Sequence, residues 1–103
     1  MCGIFGVFSS NQALLNGTSN RLSLHLLDHR GPDDSGIYQD EDIFLGHTRL
    51  SILDLSHGQQ PMVSDHGRFV IVYNGEIYNY LTLREELLSK RINLATTSDT
   101  EVI

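Results

Sequence analysis

A chain of 103 residues, 40% of them apolar and with a formal charge of −6, holds enough material for one cored domain and too little for two. Thirteen acidic residues against seven basic ones, with no Lys/Arg stripe, argue against nucleic acid and anionic membrane as partners. The single cysteine, Cys2, excludes a disulfide within this chain and fits a reducing, cytoplasmic setting, while the short apolar start MCGIFGVF lacks the basic residues of a secretory signal and no run is long enough for a membrane span.

Residues 4–8 are β-prone and mostly apolar and predict a buried strand, with Gly3 and Gly6 marking close backbone approach; Ser9, Ser10 and Asn11 end it. A helix is expected over 19–29, with Leu22, Leu26 and His29 on one stripe flanked by Leu24 and Leu27. HRGPDD stops it, Gly31 as a left-handed cap and Pro32 because it cannot continue a helix. Two strands follow, 36–39 and 43–52, joined by a turn at Asp40, Glu41 and Asp42; Leu45, His47, Arg49 and Ser51 would share one face of the second. SHGQQPM is a loop and DHG (65–67) a turn, and the nearly unbroken apolar run of 68–74 predicts a strand buried on both faces.

Asn79 is the expected N-cap of a helix over 80–90, buried through Tyr80, Leu83 and Leu87, with Glu86 and Lys90 paired on the outside. SDTE (98–101) has capping-box spacing, so a third helix is expected there. Only Val102 and Ile103 follow, so the chain reads as cut inside that helix, with the 68–73 run left as an open apolar edge prone to aggregation.

Cys2 carries the chemical signal. A thiol beside the chain start is a poor core residue. Once Met1 is removed, Cys2 bears both a thiol and a free α-amine, with ordinary pKa values of about 8.5 and about 7.7–8.0. A weak base then sits on the nucleophile's own residue, which suits attack on an amide carbonyl. Taken alone, Cys2 also allows an incidental position or a palmitoylated thiol. His25 and His29 have the i,i+4 spacing of a zinc pair, but no third ligand stands at an obvious spacing, so no metal is expected.

Five blocks occur in order: MCGIFGVF, HRGPDDSG, LGHTRLSILD, YNGEIYN and SDTEVI. Together they resemble the glutaminase domain of class II glutamine amidotransferases, which are N-terminal-nucleophile hydrolases, and most of all that of the glutamine-hydrolysing asparagine synthetases. HRGPDD and YNGEIYN are the discriminating pieces, and the resemblance covers nearly the whole chain. It implies an α/β (α+β) fold, a four-layer αββα sandwich of which residues 1–103 hold the first half of one domain. It also implies hydrolysis of glutamine to glutamate and ammonia through a thioester on Cys2, with the Asn74 side chain and the Gly75 N–H as oxyanion donors. Arg49 would grip the α-carboxylate of glutamine, Glu76 and Asp99 its α-ammonium, and the segment Leu50, Ser51, Ile52 and Leu53 would line the pocket.

The same letters allow plainer readings: Asn74-Gly75 as a hairpin turn, Arg49 in a structural ion pair, Glu76 as a solvated charge, Asp99 as compensation of a helix dipole. The resemblance places no cofactor in this chain; ATP and Mg are implied only for a synthetase domain downstream, as is a homodimer of the complete enzyme. Leu94 departs from the family, where an aromatic is more usual. Two other functions stay open: an amidotransferase for another acceptor, such as a sugar or a different carboxylate, and an inactive truncated fragment that binds glutamine weakly.

Overall fold

The structure, a computed structural model, describes residues 1–51 and 58–103. It is of mixed helix and strand, with antiparallel sheets, as expected of an α+β chain. Strands β1 (Gly3–Phe8), β2 (Asp34–Gln39) and β3 (Ile43–Arg49) form a three-stranded sheet in the order β1-β3-β2. Both outer strands run antiparallel to β3, with Gly3 opposite Thr48 and Asp34 opposite Arg49. This register brings the starts of β1 and β2 to the end of β3.

One face of the sheet carries the core. Gly3, Phe5, Phe44, Gly46 and Thr48 alternate onto it. Helix α2 (Thr18–His25), preceded by the short α1 (Gln12–Leu15), packs there. A Cβ on Gly46 would stand 2.9 Å from Leu24, and one on Gly3 would stand 2.8 Å from Leu27, so both glycines make room for leucines. Phe5 meets Phe44 edge-on, with ring centroids 6.0 Å apart. Leu15, Leu24 and Phe44 are buried, and the Thr48 hydroxyl donates to the Leu27 carbonyl at 3.1 Å.

The helix differs from its expected form. It ends at His25 and continues as turns, with Leu27 N–H bonded to Leu24 C=O and Arg30 N–H to Leu27 C=O. Leu22 and Leu26 are 64% and 75% exposed, whereas Leu24 is 4% exposed. The buried side is set by the gaps at Gly3 and Gly46, which accept Leu27 and Leu24 rather than the Leu22–Leu26 stripe. Gly31 does not take the left-handed conformation; it is buried against the Thr48 carbonyl, where no Cβ fits. Asn11 does not merely end β1: its side chain accepts from Ala13 N–H at 3.0 Å and caps α1, an element the periodicity did not foresee. β2 starts at Asp34 rather than Gly36, and β3 ends at Arg49. Ile52, the expected end of that strand, lies outside the described residues.

The turns at Asp40–Asp42 and at Asp65–Gly67 form as expected. Asp40 N–H bonds Ile43 C=O, Gly67 N–H bonds Ser64 C=O, and Gly67 sits at φ +66°. The strand expected over 68–74 is reduced to β5 (Val70–Ile71), paired with β4 (Met62–Val63). Its two residues are half-buried and Phe69 is exposed, so it is not buried on both faces. The ladder stops because side chains take over the main chain beyond it: Tyr73 N–H donates to Gln60 Oε1 instead of to a strand.

Helix α3 (Tyr80–Ser89) stands where expected, but Asn79 makes no side-chain cap bond, and Tyr80, Leu83 and Leu87 are half-buried rather than buried. Lys90 pairs with Glu86 at 2.6 Å on the outside. Residues Asp99–Val102 form a single 3₁₀ turn rather than the start of an α-helix. The Ser98 side chain caps it, accepting from Thr100 N–H at 3.2 Å. Glu101 does not close a capping box; its carboxylate takes the N–H groups of Ala95 and Thr96 at 2.6 and 2.7 Å and the Thr96 hydroxyl at 2.6 Å. Among the described residues no helix is long and apolar enough to cross a membrane.

Candidate active site

A cavity of about 300 Å³ opens where β1 starts and β3 ends. Cys2, Arg49, Leu50, Asn74, Gly75, Glu76 and Asp99 line it, together with Met1, Gly58, Gln60, Tyr73, Tyr78, Ser98 and Thr100. The antiparallel register of β1 and β3 carries Cys2 to the end of β3, where the Leu50 N–H donates to Cys2 Sγ at 3.4 Å and the thiol reaches the Leu50 carbonyl at 3.8 Å. Arg30, in the turns after α2, donates from Nε to the Cys2 carbonyl at 3.1 Å and holds the backbone of the chain start. The thiol residue is half-buried.

Arg49 is the last residue of β3 and is 6% exposed. Strand alternation sets it on the face away from α2, the face that also carries His47 and Leu45. The Gln60 carbonyl lies where a Cβ on Gly36 would be, so Gly36 lets the 60–61 segment close over that face. The Gln60-Pro61 peptide is cis.

The Asn74-Gly75-Glu76 segment leaves Tyr73, whose main chain is held on both sides. Gln60 Oε1 accepts from Tyr73 N–H at 2.6 Å, and His47 Nε2 donates to the Tyr73 carbonyl at 3.2 Å. A carbonyl can only accept, so the His47 proton resides on Nε2. Burial lowers the pKa of His47; the Tyr73 carbonyl and Asp34 oppose the shift and the Arg49 charge adds to it. Nδ1 is buried and, among the described residues, without a hydrogen-bond partner, which also fits a neutral ring. The Tyr73 hydroxyl stands 2.5 Å from where a Cβ on Gly75 would sit, so a larger residue there would displace the ring. Among the described residues the Asn74 amide makes no side-chain hydrogen bond, which leaves its donors to a ligand or solvent.

Asp99, at the start of the 3₁₀ turn, is 9% exposed, and its Oδ2 accepts from Ile77 N–H at 2.9 Å. The carboxylate therefore ties its own turn to the segment just past Glu76. The wall combines a thiol, a buried guanidinium, a free amide and two carboxylates. One cationic and two anionic groups at separate places suit a zwitterionic ligand better than a singly charged one.

Not every expected residue stands on the wall. Ser51 is turned to Asp33, whose Oδ2 accepts from its N–H at 2.7 Å. Ile52 and Leu53 lie outside the described residues. His25 and His29 are both exposed and lie off this wall; His25 Nδ1 meets Asp28 Oδ2 at 3.1 Å, and no cluster of three metal-ligating groups exists among the described residues. Sequence reasoning passed over Gln60, Tyr73 and Thr100. The only signal for Gln60 is its chemistry, one donor and one acceptor in a loop before Pro61; its spacing does not say what it joins.

The model of the glutamine amidotransferase domain matches residues 1–103. The chain is 42% identical over 106 residues to the glutamine-hydrolysing asparagine synthetase 1 of Bacillus subtilis, covering all of this chain and 17% of that protein. It is 44% identical over 104 residues to the glutamine-hydrolysing asparagine synthetase B of Escherichia coli, again over its full length and 19% of the relative. A glutamine-hydrolysing asparagine synthetase of Arabidopsis thaliana is 41% identical over 104 residues, 18% of its length. The chain thus spans less than a fifth of these curated relatives. With a match over every residue and relatives of this similarity, the chain belongs to the glutamine amidotransferase domain family.

Proposed function

We propose that this domain hydrolyses the side-chain amide of glutamine, with Cys2 as nucleophile after Met1 is removed. The observation that carries the reading is the single cavity on which Cys2, Arg49, Asn74, Gly75, Glu76 and Asp99 converge from four separate stretches of chain. Arg49 binds the α-carboxylate of glutamine and Glu76 and Asp99 its α-ammonium, which aims the side-chain amide at the thiol. Sulfur adds to the amide carbon, and its proton passes to the α-amine of Cys2. The carbonyl electron pair moves onto oxygen, where the Asn74 amide and the Gly75 N–H donate. Collapse breaks the C–N bond as the amine returns the proton, and ammonia leaves. Water then attacks the thioester, gives its proton to the amine, and releases glutamate as the thiol re-forms.

Two further expectations belong to the same reading. The domain fold is the four-layer sandwich of the N-terminal-nucleophile hydrolases, with the three-stranded sheet as part of one inner layer. The ammonia serves asparagine synthesis, as the names of the relatives indicate for those proteins. The test is product analysis: glutamine should yield glutamate and ammonia in equal amounts, and Cys2→Ala should stop both. Turnover that survives Cys2→Ala would reject the assignment.

A further inference from the structure

We propose that His47 and Gln60 are positioning residues of this site: together they take both main-chain polar groups of Tyr73 and so fix the Asn74-Gly75 segment that follows. The role rests on the functional reading above.

The geometry is specific. His47 comes from the middle of β3 and donates from Nε2 to the Tyr73 carbonyl at 3.2 Å; Gln60 comes from the loop before β4 and accepts from the Tyr73 N–H at 2.6 Å. Among the described residues no strand partner does either job, because the β4–β5 ladder ends at Ile71. Tyr73 is therefore held by two side chains where a sheet would use backbone, and the peptide group leading into Asn74 takes its orientation from them. His47 is 1% exposed and is itself fixed between the strand and this contact. Its lowered pKa keeps the ring neutral, with its proton directed at the carbonyl.

Gln60 reaches further. Its Nε2 donates to Thr100 Oγ1 at 3.2 Å, in the turn that carries Asp99. One side chain thus connects the proposed oxyanion donors to the proposed ammonium site. Gly36 makes the connection possible, since any Cβ there would strike the Gln60 carbonyl. An oxyanion donor works only if it is in place before charge develops, so slack in the Tyr73 peptide falls on the chemical step rather than on substrate binding.

The test compares Gln60→Leu, which removes both ties with little change in volume, His47→Leu, and His47→Gln, which keeps an N–H donor near the Nε2 position. Two readouts are taken on the full chain: amide hydrogen exchange of residues 73–76, and kcat and KM for glutamine. Both leucine variants should speed exchange there by at least about tenfold. They should lower kcat by about tenfold to a hundredfold, as a displacement near 1 Å does, with KM moving less than about threefold. His47→Gln should recover most of kcat. If His47→Leu does not fold, Gln60→Leu and His47→Gln decide the matter between them. Unchanged exchange at 73–76 overturns the clamp; faster exchange with unchanged kcat, or a loss confined to KM, overturns its part in catalysis. A folded wild-type chain that fails to hydrolyse glutamine removes the functional reading and with it the catalytic part, while the exchange measurement still decides whether the clamp exists.

Discussion

Cys2 and Leu50 meet just beyond the ends of the paired strands β1 and β3, the Leu50 N–H directed at the thiol sulfur at 3.4 Å. The contact fixes where the sulfur stands without any help from the chain before it. Met1 also lines the cavity, as a residue whose peptide bond occupies the Cys2 amine. A preparation that keeps Met1 should therefore bind glutamine yet fail to hydrolyse it, because the amine cannot accept the thiol proton. Intact mass and turnover measured on the same sample check this; full turnover with Met1 retained would contradict it.

Arg49 and Asn74 stand on the same wall but serve different stages of the proposed reaction. Arg49→Ala should chiefly raise KM for glutamine, since the α-carboxylate does not change during the reaction. Asn74→Ala should chiefly lower kcat, by about a hundredfold to a thousandfold, the usual cost of losing one oxyanion donor. Steady-state kinetics on the two variants separate these effects, and the reverse pattern would exchange the two roles.

Gly31 is needed for space rather than for an unusual backbone angle. It lies against the Thr48 carbonyl, next to the strand end that carries Arg49. Gly31→Ala should destabilise the domain by about 1–3 kcal/mol, as overpacking of a tight contact does. Denaturant unfolding measures it. The shift should exceed that of Gly67→Ala in overpacking, because Gly67 has nothing within 4 Å and carries only the strain of its φ of +66°.

His47 makes stability depend on pH. Burial lowers its pKa in the folded state, so on acidification the unfolded chain takes up a proton that the folded one refuses. The penalty is absent above about pH 6.5, the ordinary histidine value, and grows as pH falls below it until the folded-state pKa is reached. Unfolding free energy should drop between neutral and mildly acid pH, and His47→Gln should flatten that drop. Glu101 acts lower on the scale. Burial would raise its pKa, but the Thr96 hydroxyl, the Ala95 and Thr96 N–H groups and the Arg84 charge outweigh it and hold it down. The stability it adds is present above the ordinary glutamate range and lost as pH falls through the lowered value.

The sequence made some elements legible and hid others for physical reasons. β1, β3 and α3 could be read because a strand or helix of ordinary length leaves its mark in composition and periodicity, although β1 is not the buried strand expected, with Ile4 49% and Phe8 80% exposed. The buried side of α2 could not, since it is decided by Gly3 and Gly46 on strands far away in sequence. The 68–74 run has the composition of a central strand, but pairing needs a partner of equal length, and β4 supplies two residues. Most of the expected cavity residues stand in the ordered motifs; Tyr73 and Thr100 lie inside YNGEIYN and SDTEVI, where nothing in the letters marks their part, and Gln60 lies in no motif, so all three show only through the bonds they make. Ser51 was named from the same motif as Arg49 and Leu50, but its N–H is directed to Asp33.

The central claim is that the Cys2 sulfur carries the glutamyl group during turnover. Quenching the reaction with acid during steady-state hydrolysis of glutamine, then weighing the N-terminal peptide, tests it directly. The account predicts a peptide that begins at Cys2 and bears one γ-glutamyl group on the thiol, absent without glutamine and released by hydroxylamine. Rapid glutamine hydrolysis with that peptide always unmodified, and persisting in Cys2→Ala, would contradict it.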